Sequence, residues 1–134
     1  MNAETGKPLT PYDALGGKEV FVAIVNRFYD LMDTDPHYTE LRKMHAADLG
    51  PMRTSLAGWL SAWSGGPRDW FEQNPGKCVM SAHRGLGISQ KTADQWAEAM
   101  TRAIADSPME NPALAQALAQ KLQTMAQGMV ESAA

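Results

Sequence analysis

The stretch "GKEVFVAIVNRFYDLMDTDP", residues 17–36, decides the fold. Its apolar side chains fall at Val20, Phe21, Ile24, Val25, Phe28, Leu31 and Met32. Steps of three and four place them on one broad face of an α-helix, with charged residues on the other. "DTDP" then supplies the break, because the residue before a proline is pushed out of the helical region. The same period recurs along the chain, whereas strand-like alternation is absent and Val and Ile are thinly dispersed. The expected architecture is all-α.

Working outward, Thr10 followed by Pro11 starts a short helix that Gly16-Gly17 stops. A second short helix is expected through Leu41. Met52, Leu56, Trp59, Leu60 and Trp63 form a stripe that ends at Gly65-Gly66-Pro67. From there to Val79 the chain is rich in Gly, Pro, Asn and Asp and reads as a long loop, an uncommon feature inside a compact domain. A helix of about one to two turns, bounded by Gly85 and Gly87, would then carry His83. Ser89 caps the next long helix, with Ala93, Trp96, Met100, Ala103 and Ile104 on its inner face. Asn111-Pro112 opens the last, with Leu114, Leu118, Leu122, Met125 and Met129 inward. Residues 1–134 are expected to form one domain, with 1–9 as a flexible extension.

Composition narrows the function. The chain has 134 residues, a net charge of −3 and scattered Lys and Arg, so neither nucleic acid nor an anionic membrane is an expected partner. No apolar run approaches the roughly 20 residues that span a bilayer, and no export signal opens the chain, so a cytoplasmic protein is expected. One cysteine rules out an internal disulfide and a four-thiolate cluster.

Three residues raise chemical questions. His83 sits in a short segment with little apolar surface of its own, and it reads as a packed histidine, a catalytic base or a metal ligand. Tyr29 flanks its helix's apolar face, and Trp96 lies within another. A buried hydroxyl and a buried indole N–H each need an acceptor, which points to a polar ligand in the core. Nine methionines and four tryptophans suit either a helical core or a flat, polarizable cofactor. No phosphate loop, no His-Glu-x-x-His and no paired carboxylates on an apolar face accompany them. Cys78 stands five positions before His83, off its helical face, and reads as a small packing residue.

Taken together, Gly16-Gly17, "NRFYDLMDTDP", Gly65-Gly66-Pro67, His83, Ile88-Ser89 and "DQW" give a sequence that resembles the group II truncated haemoglobins from about Pro11 to Met129. The tryptophan thirteen residues after the histidine favours group II over its sister groups. The resemblance implies a two-over-two helical sandwich around haem b (iron protoporphyrin IX), held without covalent attachment. His83 matches the proximal iron ligand. Tyr29 and Trp96 match the residues that face bound ligand, joined by His45 or, in its place, Met44. His45 would either hydrogen-bond at the distal side or bind the iron itself. Leu56 matches the apolar distal residue and Met52 a position nearer the mouth. Phe28, Trp59, Val79, Met80, Ile88 and Met100 match haem contacts, and Arg53, Trp70 and Arg84 are candidate propionate partners.

The ligands implied are O₂, NO, CO or peroxide. Donors aimed at the partial negative charge on bound O₂ would slow its release, which suits redox chemistry such as nitric-oxide scavenging or peroxide handling. Such chemistry would need an external reductase. A monomer or weak homodimer is expected. The competing reading is a haem-free helical module that binds a protein partner.

Overall fold

A computed structural model describes residues 10–45, 47–74, 88–107 and 111–130. Among these the regular structure is entirely helical, in the order α1 (Pro11–Leu15), α2 (Lys18–Thr34), a 3-10 turn (Pro36–Tyr38), α3 (Thr39–Lys43), α4 (Gly50–Trp63), α5 (Asp69–Gln73), α6 (Gln90–Asp106) and α7 (Pro112–Gly128). The packing pairs α2 with α4 and α6 with α7, and α2 also lies against α6. This is the two-over-two sandwich expected from the sequence.

Each boundary has a local cause. The Thr10 side chain accepts from Asp13 N–H to open α1, and Gly16 closes it at a φ of +126° that L side chains rarely adopt. Ser89 and Thr92 bond reciprocally at the start of α6, while Asn111 accepts from Leu114 N–H to start α7. The inner face of α2 buries Phe21, Ile24, Val25, Phe28, Leu31 and Met32, as its spacing requires, and Tyr29 besides.

The loop expected between Gly66 and Val79 contains a helix instead. α5, "DWFEQ", carries Asp69 and Glu72 at its positive N-terminal end and packs Trp70 onto α4 beside Gly58. Glycine and proline around it hid a segment anchored by two aromatics, Trp70 and Phe71. Tertiary packing of these partly buried rings overrode local composition. The short helix expected around His83 and the extension at 1–9 lie outside the described residues.

The glycine pair after α4 fixes how α1 meets the sandwich. Tyr12 N–H donates to the Ser64 carbonyl and Gly66 N–H to that of Ser61. A Cβ at Gly66 would stand 2.6 Å from Tyr12 Cδ1 and 2.9 Å from the Ser61 carbonyl oxygen, which cannot give way cheaply. Gly66→Ala should therefore destabilise the chain by about 1–3 kcal/mol, the range for overpacking. Gly58→Ala places its methyl at an ordinary 3.6 Å from Trp70 within a helix, and should be neutral or stabilising by up to about 1 kcal/mol. Urea unfolding of the two variants checks this; equal effects would mean that the close approach at Gly66 carries no energy.

Candidate functional site: an apolar cavity between the helices

The sandwich leaves a cavity of about 350 Å³, within the range of ligand and cofactor sites. α2 contributes Tyr29; α3 and its end contribute Leu41, Met44 and His45; α4 contributes Met52, Ser55, Leu56 and Trp59. Trp70 of α5, Thr92, Ala93 and Trp96 of α6, and Met125, Ala126 and Met129 at the end of α7 complete the described wall, with Ile88 just before α6. Met44 and Met52 are 39% and 40% exposed, so the rim is apolar yet open to solvent.

A row of rings runs behind and across the distal wall. Phe28 meets Tyr29 edge-on at 4.9 Å and Trp96 edge-on at 5.4 Å, and Tyr29 meets His45 edge-on at 5.9 Å. Phe28 itself is fully buried and does not line the cavity. Its place at the α2–α6 contact fixes the two residues that do. Among the described residues no hydrogen bond engages the Tyr29 hydroxyl or the Trp96 indole N–H. Burial pushes the Tyr29 phenol up to about 12, against a smaller opposing pull from the Arg53 guanidinium. Its hydroxyl therefore stays protonated, and able to donate, at any ordinary pH.

The sequence-derived site residues divide clearly. Tyr29, His45, Leu56, Trp59, Trp70, Ile88 and Trp96 are brought to the one cavity. Met100, one helical turn beyond Trp96, is buried in the core and absent from the described wall, as Phe28 is. Both lie on the apolar faces of their helices, and a helical period reports burial without distinguishing core from cavity. Arg53 is also off the described wall: its guanidinium donates to Asp30 Oδ1 at 2.8 Å and to the Asn26 carbonyl at 3.1 Å. The Trp70 indole donates to Ser55 Oγ at 3.1 Å. His83, Val79, Met80 and Arg84 lie outside the described residues, as does Cys78. Trp70 and Ile88, which stand on either side of that segment in the sequence, both line the cavity. His37 is on the surface, 3.1 Å from Glu98.

His45 and Met44, alternatives for one position in the sequence reading, both reach the wall. The Nδ1–H of His45 donates to the Leu41 carbonyl at 2.9 Å. A neutral ring held this way keeps its lone pair on Nε2, so it offers an acceptor there, and a donor only when protonated. The sequence marks Met125 and Met129 only as inward positions of the last helix, and it does not single out Ala126. Their i, i+1 and i+4 spacing is what brings them to one wall.

These walls suit a flat cofactor with an apolar body and a polar edge. Three tryptophans and four methionines offer apolar, polarizable surface, and the rim is open. A family model of the bacterial-like globins matches residues 10–131. Among solved structures, the chain is similar to the cold-adapted truncated haemoglobin of the Antarctic marine bacterium Pseudoalteromonas haloplanktis TAC125. That match has 33% identity and a TM-score of 0.87, covering 92% of this chain and 99% of that one. The group II 2-on-2 haemoglobin of Agrobacterium tumefaciens matches at 28% identity and a TM-score of 0.87, over 93% and 96% of the two chains. A thermostable haemoglobin from Thermobifida fusca matches at 30% and 0.81, over 94% and 100%. The chain belongs to the bacterial-like globin family and is a truncated haemoglobin of group II. Its cofactor is haem b, and its activity is haem-based binding of small ligands. The haem-free interaction module is thereby set aside. Among the described residues no helix is long and apolar enough to cross a membrane.

Proposed function

We propose that this chain holds O₂ with slow release and uses it, or peroxide, in redox chemistry such as the conversion of nitric oxide to nitrate. The observation that carries the reading is the convergence of two donors, Tyr29 and Trp96, on one apolar cavity. His83 is the proposed iron ligand; a ligating imidazole would be oriented by donating its second ring N–H to a carbonyl. Leu56, Trp59 and Ile88 would pack on the macrocycle, with Phe28 and Met100 supporting from behind; Val79 and Met80, beside His83, would add contacts. Haem iron, when bound, supplies the site for a diatomic ligand and the one-electron chemistry.

The chain's own groups do the rest. Tyr29 donates from a hydroxyl that burial keeps neutral, and the Trp96 indole donates without any competing acceptor role. Leu56 and Trp59, which line the same cavity, would make it poor in water once the cofactor is in place and so strengthen each hydrogen bond. Arg84 and Trp70 are the proposed partners of the propionates, Trp70 by giving up its bond to Ser55. Arg53 could join them only by leaving Asp30. Such a pocket favours retention over delivery, so bulk oxygen transport fits it poorly. Electrons would come from a separate reductase.

The test is sustained turnover. Haem-loaded protein, supplied with O₂, a reductant and nitric oxide, should form many equivalents of nitrate per protein. One equivalent followed by arrest, with a competent reductant present, would mean a single stoichiometric oxidation without turnover and overturn the catalytic part of the proposal.

A further inference from the structure

Helix α3 opens without a capping side chain of its own, because its N-cap residue Tyr38 makes no such bond. One of its early amides is satisfied from another helix. Gln95 Oε1 of α6 accepts from Leu41 N–H at 3.0 Å, and Gln95 Nε2 donates to Glu40 at 2.9 Å. Gln95 is only 5% exposed, so its bond to Leu41 is buried, while the one to Glu40 reaches a carboxylate at the surface. Glu40 in turn accepts from Lys91 at 2.9 Å. The Gln95 amide, and after it the Lys91 ammonium, hold the Glu40 carboxyl down to about 2. Glu40 thus stays an acceptor, which fixes the direction of the Gln95 amide: reversed, it would set N–H against N–H at Leu41.

The other side of Leu41 matters for the cavity. Its carbonyl accepts from His45 Nδ1–H, so the peptide groups of a single residue receive Gln95 at one end and His45 at the other. Gln95 also precedes Trp96, whose indole lines the same cavity.

We propose that Gln95 is a positioning residue: by capping α3 from α6 it holds the Leu41 carbonyl where it selects the Nδ1–H tautomer of His45. The consequence, which rests on the haem-pocket reading above, is that neutral His45 stands beside Tyr29 as an acceptor at Nε2. Were the other tautomer present, the cavity would have a third donor. Gln95 therefore decides which hydrogen-bonding character His45 offers, without touching ligand or cofactor.

The experiment is ¹⁵N NMR of the imidazole in the haem-loaded, CO-bound ferrous protein, which is diamagnetic, at alkaline pH so that the neutral ring is read. Wild type should show His45 mainly as the Nδ1–H form. Gln95→Leu should shift the ratio toward Nε2–H by about five- to tenfold, the worth of one net hydrogen bond. Gln95→Glu alone sets two carboxylates against each other and should also lose the pattern. Gln95→Glu with Glu40→Gln reverses the polarity of that bond, lets residue 95 still accept from Leu41 N–H, and should restore the wild-type tautomer. A merely structural glutamine would lower stability and leave the ratio where it was, so an unchanged ratio in folded Gln95→Leu overturns the proposal. If that variant does not fold, the double variant decides: the wild-type tautomer supports the proposal, and the Nε2–H form overturns it. The same spectra of the haem-free protein separate the two readings, since failure to take up haem would sink the pocket assignment while the His45 tautomer still tests Gln95.

Discussion

His83→Ala should lose most of its affinity for haem. A metal–imidazole bond is worth more than the hydrogen bonds that support it, and losing one of those supports already costs a metal site roughly 10–100-fold. The effect should exceed that range, and haem should pass from the variant to an apo-globin acceptor far faster than from wild type. Truncation to alanine also leaves room for a free imidazole. Added imidazole should therefore restore a globin-like absorption spectrum in part, which separates a lost ligand from a damaged fold. Wild-type haem content and spectrum in the variant would mean that another residue binds the iron. His45 would be the replacement, since among the described residues it is the histidine on the cavity wall.

Much of this architecture was readable because helices advertise burial through spacing. The α2 face, the Thr10, Ser89 and Asn111 caps, and the glycine breaks all follow from steric rules that act within a few residues. α5 was not readable in that way. Its five residues are too few for a period, and Trp70 is held by tertiary contacts with Ser55 and Gly58 of α4. The cavity was legible only in part, for a related reason. Spacing places Phe28, Trp96, Met100 and Met125 alike on inward faces, and only the way α2, α6 and α7 pack together decides which of them meet open space. Gln95 went unnoticed because a glutamine beside an apolar stripe looks solvated until its partners on α3 are known. The roles of His83, Tyr29 and Trp96 were suggested by family resemblance, not by spacing.

The second large effect concerns the distal donors. Tyr29→Phe and Trp96→Phe should each raise the O₂ off-rate by roughly tenfold or more, because a hydrogen bond to a charged group contributes about 1.5–3 kcal/mol. Tyr29→Phe keeps the ring that Phe28 and His45 contact edge-on, so the change isolates the hydroxyl. Trp96→Phe keeps an aromatic body on the cavity wall and removes the N–H. The double variant should fall short of the product of the two, since donors that share one acceptor compensate for each other.

The central claim is that Tyr29 and Trp96 act on ligand charge, and comparing O₂ with CO tests it most directly. CO carries little charge on its oxygen, so a lost donor should barely alter its release. Stopped-flow off-rates of both ligands from wild type, Tyr29→Phe and Trp96→Phe would give the answer in one set of measurements. The account predicts a tenfold or larger acceleration for O₂ and a change of less than about threefold for CO. Equal acceleration of both ligands would contradict it, making the two side chains steric gates.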